Sequence, residues 1–119
     1  MCATNQHDIC YQPLTWIGED HYAQRVIVCA ANKYILNNGE ELIIPCVRHA
    51  NPVLSAQLNV LKDAGLIDKL FCLPDNQGFI DQYYNWWSRK DAYIIADNAK
   101  QINYERNGHD SELFSEGLY

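Results

Sequence analysis

The chain has 119 residues, 48% of them hydrophobic, which is the size of one domain with a modest core. Nine Lys and Arg against fifteen Asp and Glu give a formal charge of −6, too few cations for the basic face that grips long nucleic acid. A small anionic ligand stays within reach, because a few cations and some backbone N–H groups suffice to hold one.

No apolar run approaches the roughly 20 residues needed to cross a bilayer. The opening Met-Cys-Ala-Thr-Asn-Gln-His-Asp has neither the basic start nor the apolar stretch of a secretory signal. Five scattered cysteines (Cys2, Cys10, Cys29, Cys46, Cys72) form no Cys-x-x-Cys and read as reduced, mostly buried thiols of a cytoplasmic protein.

Residues 1–13 are polar and irregular, closed by Pro13, and read as a flexible N-terminal arm before an α+β ligand-binding domain over 14–119. Leu14–Ile17 is expected as a short strand ended by Gly18. Arg25–Ala31 and Leu42–Val47 are β-rich, and the Asn38-Gly39 pair between them predicts a hairpin with a type I′ turn. Pro45 places the second of these strands at an edge or a bulge.

A helix follows, with Asn51 as its cap, Pro52 in its first turn and Leu54, Leu58 and Leu61 on one face. Gly65 supplies its left-handed ending, with Leu66 folding back on Leu61. Leu66–Pro74 is a short strand or a buried connection. Gln77–Ile80 and Asn85–Trp87 read as two extended pieces joined by a turn. Ser88 caps a second helix, with Asp91 at the capping-box position and Ala92, Ile95, Ala96 and Ala99 as its buried stripe. Asn103–Ser111 reads as a loop, and the alternating Leu113–Tyr119 as a terminal strand. The sum is a single α+β domain, an antiparallel sheet with two packed helices.

Arg48-His49 stands where a strand meets a helix start, so a guanidinium and an imidazole join the unpaired N–H groups of a first turn as an anion cradle. The competing reading gives Arg48 a surface ion pair and His49 a local hydrogen bond. Arg89-Lys90 puts two cations in the first turn of the second helix, against the macrodipole. Either a bound anion or carboxylates such as Asp81 and Asp91 compensate. Phe79, Tyr83, Tyr84, Trp86 and Trp87 form a dense aromatic cluster, fit for a core corner, a subunit interface or a base-stacking platform. Arg106 lies in the loop and reaches a phosphate only if the loop folds over a pocket.

Enzyme signatures are mostly missing, a His49–cysteine nucleophile–base pair being the one arrangement left open. There is no Gly-rich phosphate loop and no His-x-x-x-His pair. His7 with Cys10, and His109 with Asp110, each lack a second pair of metal ligands. Cys29 and Cys46 sit in apolar strand segments, where a thiol usually packs. The expectation is therefore no catalytic residue, no metal and no cofactor.

Several runs, taken in order, carry a resemblance: Ala30-Ala31-Asn32-Lys33-Tyr34, Val47-Arg48-His49, Gln77-Gly78-Phe79-Ile80-Asp81, Trp87-Ser88-Arg89-Lys90-Asp91-Ala92, Ile95-Ala96, Lys100-Gln101 and Leu113–Tyr119. Over roughly residues 25–119 the chain resembles the phage Thoeris anti-defence proteins of the first type. The resemblance implies an antiparallel sheet with packed helices, assembled as dimers or larger oligomers. It also implies sequestration, without cleavage, of glycocyclic ADP-ribose, the signal made by a bacterial TIR enzyme. Some members hold cyclic di- or trinucleotides in separate pockets between subunits and so blunt CBASS defence.

Carried over by position, Arg48 and His49 match the family's Arg-His strand end, Phe79 its aromatic after Gly78, and Arg89 its basic helix start. Arg106 lies in the region where members carry phosphate-binding arginines. Lys100 departs from the family's usual Gly, Gly117 from a usual acidic or polar residue, and the first two dozen residues match nothing in it.

The expected function is a non-catalytic, homo-oligomeric sponge for a small nucleotide signal in the cytoplasm of an infected cell, with no long nucleic acid or membrane as partner. Arg48, Arg89 and Arg106 neutralise phosphates, His49 hydrogen-bonds one, and Phe79 with Trp87 stacks a base. The alternatives are a small phosphoesterase using His49 as acid or base, and a phage protein that binds another protein through its aromatic patch.

Overall fold

One long strand with a paired neighbour on each side lays down the central sheet. The structure, a computed structural model, describes residues 9–119. Ile27–Ile35 (β3) pairs antiparallel with Glu41–Cys46 (β4) on one side and with Gln77–Asp81 (β5) on the other. Trp86–Ser88 (β6) pairs with β5, giving the order β4-β3-β5-β6. β4 is thus an edge strand, where the missing N–H of Pro45 is tolerated. Ala30, Asn32 and Tyr34 alternate onto one face of β3, all buried.

Helices cover that face. Pro52–Asp63 (α1) lays Leu54 and Leu58 against Tyr34 and Ile67. Arg89–Asn98 (α2) lays Ala92, Ile95 and Ala96 against Ile27, Ala30, Phe79 and Leu113. Both helices begin as the sequence predicts: Asn51 Oδ1 accepts from the Leu54 N–H at 2.9 Å, and Ser88 Oγ from the Asp91 N–H at 3.2 Å. α1 closes on Gly65 at φ +76°, with Gly65 N–H bonded to the Lys62 carbonyl and Leu66 N–H to that of Leu61. That is the paired bonding of a Schellman ending.

The structure departs from the sequence expectations in several places. Leu14–Ile17 is a turn, not a strand. The flanking Tyr11–Pro13 (β1) and Tyr22–Gln24 (β2) pair instead, with Leu14 N–H bonded to His21 O. Residues 1–8 of the expected arm lie outside the described residues, while Tyr11–Pro13 belong to this hairpin. The β3–β4 turn is not type I′, because Gly39 takes φ +90° while Asn38 has no positive φ. Leu36 N–H bonds to Glu40 O across a three-residue tip, and Asn38 Oδ1 accepts from the Glu40 N–H.

The loop after α2 contains a short helix, Tyr104–Asn107 (α3), capped by Asn103 and stopped by Gly108. Leu113–Tyr119 is not a strand. Leu113 N–H bonds to Arg89 O, Asn103 N–H bonds to Gly117 O, and Ser115–Gly117 closes into a 3-10 turn. Leu66–Leu73 is an irregular connection with Ile67 buried beneath it.

A buried ion pair ties the first hairpin to the sheet. Asp81 is 1% exposed and receives Arg25 Nη1 at 2.9 Å, Trp87 Nε1 at 2.9 Å and Asn85 Nδ2 at 3.0 Å. Burial by itself would raise its pKa. The bonds from Trp87, Asn85 and the Tyr83 N–H outweigh that and hold the carboxyl below its ordinary range.

Candidate functional site

β4 ends at Cys46, and the chain bends through Val47–Ala50 into α1. Asn51 fixes that bend from both directions, capping α1 with its oxygen and donating its amide to Arg48 O at 2.8 Å. Asn32, fully buried on β3, donates to His49 O at 2.9 Å. The backbone carrying Arg48 and His49 is therefore held by side chains on two other elements.

Both side chains turn to protein partners. His49 Nε2 lies 2.8 Å from Gly78 O, so that nitrogen carries the proton, and its ring meets Phe79 edge-on at 5.1 Å. Burial lowers the His49 pKa, opposed by the Gly78 bond and reinforced by the charge of Arg89. Together these effects disfavour the charged ring. Arg48 donates to Ser115 O at 3.2 Å and Tyr119 O at 2.6 Å, and its Nε lies 3.7 Å from Glu116.

Arg89, the first residue of α2, finds the compensation its position needs within the chain. It donates to Leu113 O at 2.9 Å and to Gln77 Oε1 at 2.8 Å, with its guanidinium 4.4 Å from the Phe114 ring centroid. Burial depresses its pKa, which the charges of Glu112 and Glu116 oppose.

Two of the six expected ligand residues, Arg48 and Arg89, thus meet on one segment. Arg48 and Arg89 both grip the C-terminal segment, and His49 stands within the fields of Arg89 and Glu116. Arg106 is exposed on α3, which packs against the Ser115–Gly117 turn that Arg48 holds.

The two expected stacking rings fare differently. Phe79 has no exposed surface, so in a single chain it is a core residue and offers no face to a base. Trp87 is half-buried, donates its indole N–H to Asp81, and has the Arg25 guanidinium 5.0 Å from its ring centroid.

Among the clefts on the described surface, three of about 340, 260 and 440 Å³ include none of the six expected residues in their lining. The first lies between β3 and the irregular Ile67–Asn76 stretch, bordered by Lys33, Lys69 and Phe71. The sequence reading passed over it. Its one local signal was a lysine and a phenylalanine two apart inside an apolar run.

Among the described residues no group of three or more His, Cys, Asp and Glu could hold a metal ion, and no helix is long and apolar enough to cross a membrane. Burial raises the thiol pKa of Cys10, Cys29 and Cys72, and pushes that of Cys46 up to about 11, so none is a ready thiolate.

The chain belongs to the phage T4 y16D protein family, whose model matches residues 26–119. The match begins after β2, leaving the β1–β2 hairpin outside it. No curated protein and no solved structure matches the chain.

Proposed function

We propose that this phage protein is a non-catalytic sponge that captures a cyclic nucleotide immune signal at an interface between copies of itself, in the cytoplasm of an infected cell. Glycocyclic ADP-ribose leads the candidates, followed by cyclic di- and trinucleotides. The observation carrying the reading is that Arg48 and Arg89 both bond one C-terminal segment, with His49 next to Arg48 in the chain and the exposed Arg106 on a helix packed against the same segment. Elements distant in sequence supply these groups, which is how a folded chain assembles an anion site. Membership of a phage family and the ordered resemblance to Thoeris anti-defence proteins support it from the sequence side.

Within one chain the guanidiniums of Arg48 and Arg89 already have carbonyl and amide partners. Phosphate neutralisation then falls first to Arg106, and a pocket closed by a second copy supplies the enclosure one chain of this size lacks. Preformed contacts favour tight capture, since a rigid site loses little entropy on binding.

A phosphoesterase is the weaker reading. His49 donates one nitrogen to a backbone carbonyl and packs its ring on Phe79, which leaves little freedom for proton transfer. Incubation with glycocyclic ADP-ribose, then heat denaturation and mass spectrometry of the released molecules, separates the two. The sponge returns intact ligand, and Arg106→Ala returns less of it. A linear product supports the esterase, and no recovery of any cyclic nucleotide refutes capture.

A further inference from the structure

We propose that the cleft of about 340 Å³ between β3 and the Ile67–Asn76 stretch is a separate binding site for a mononucleotide-sized aromatic phosphate. The cleft is preformed. Asn37 N–H bonds to Leu66 O at 2.9 Å, and Asn37 Nδ2 donates to Gly65 O at 3.0 Å and Asp68 Oδ1 at 3.2 Å. Cys72 Sγ lies 3.6 Å from Lys33 O. These bonds pin the irregular stretch to the outer end of the sheet, so its walls stand without a ligand.

The lining is apolar below and cationic at the sides. Tyr34 and Ile67 are buried and form the floor. Ile35, Phe71 and Leu73 also line the cleft and are all more than half exposed, at 52%, 62% and 56%. Large apolar side chains massed at one indentation, with a few convergent polar groups, are the usual make-up of a ligand site.

Lys33 and Lys69 supply the positive charge, in a chain with a net charge of −6. The Lys69 ammonium already lies 5.9 Å from the Phe71 ring centroid, and Lys33 is held 3.9 Å from that of Trp86. Two carboxylates oppose them. Asp68 in the lining is engaged by Asn37, and Glu41 reaches Lys33 only at 3.9 Å with its side chain 59% exposed, where solvent screens it.

The chemistry that matches is a planar ring laid on Phe71 with a phosphate drawn to the Lys69 ammonium beside it, Lys33 adding positive charge from the β3 side. The volume lies at the small end of ligand pockets, so it takes one base with its sugar phosphate and not a cyclic oligonucleotide. This site shares no residue with the Arg48, His49 and Arg89 cluster, and it stands whether or not that cluster binds anything.

The test is titration of the isotope-labelled protein with AMP, followed by amide chemical shifts. Saturable shifts are expected at Lys33, Asn37, Lys69 and Cys72, with a Kd on the order of 1 mM. Adenosine and inorganic phosphate, each offered alone, bind at least about fivefold more weakly because each lacks one half of the contact. Phe71→Ala and Lys69→Gln each weaken AMP about five- to tenfold, whereas Lys62→Gln, on the exposed side of α1, leaves it unchanged. Lys69 is exposed, so Lys69→Gln remains informative should Phe71→Ala fail to fold. Absence of saturation by about 10 mM AMP overturns the site, as do shifts confined to Arg48–Ala50 and Leu113–Tyr119 or indifference to both cleft variants.

Discussion

Arg89→Ala cuts two tethers at once: the bond to Leu113 O at 2.9 Å, which holds the C-terminal segment, and the bond to Gln77 Oε1 at 2.8 Å, which holds the start of β5. A hydrogen bond to a charged group contributes about 1.5–3 kcal/mol net. Both bonds share one half-buried guanidinium, so their effects overlap and the pair is set at about 2–3 kcal/mol. Removing a cation from the first turn of α2 returns about 0.3–1 kcal/mol. The expected loss is about 2 kcal/mol, which in a domain of this size lowers Tm by about 6–10 °C.

Urea unfolding followed by tryptophan fluorescence reads it directly. Arg89→Lys should restore less than half, because one ammonium cannot span two diverging acceptors as a guanidinium does. Arg106→Ala, at an exposed position, should stay within about 0.5 kcal/mol of the parent. A midpoint for Arg89→Ala indistinguishable from the parent would refute the argument. It would mean that the C-terminal segment does not hold Arg89 in solution.

Gly78→Ala should destabilise by about 3 kcal/mol or more, seen as loss of soluble protein or of the cooperative unfolding transition. A Cβ there would lie 2.6 Å from the Trp86 ring and closer still to the Trp87 carbonyl, and backbone cannot yield as a flexible side chain does. Stability should also fall on acidification through His49. Its folded pKa is below 6.5, so the unfolded chain takes up the proton first. The stabilisation is complete above the unfolded pKa and diminishes as pH drops toward the folded one. Comparing urea midpoints at about pH 7.5 and about pH 5.5 should show a smaller difference for His49→Gln than for the parent, and equal differences would count against a half-buried His49 whose charged form the fold disfavours.

Sequence alone was enough for everything governed by neighbours along the chain. The Asn51 and Ser88 caps, the Gly65 ending and the leucine and alanine stripes act within a few residues, so both main helices could be read directly. The β3–β4 hairpin, and the two extended pieces that become β5 and β6, follow from β-rich runs separated by turn residues, while the pairing of β5 with β6 came from the structure. Tertiary structure decided what depends on partners far away. Leu113–Tyr119 alternates like a strand, yet its N–H and C=O groups meet Arg89, Asn103 and Arg48 and no sheet edge, so it becomes a strap. Phe79 and Trp87 look alike as aromatic residues. Sheet register buries one against Ala92 and Ile95 and bonds the other to Asp81. Whether an arginine serves a ligand or a carbonyl depends on which acceptors the fold brings within about 3 Å, and no local pattern encodes that distance.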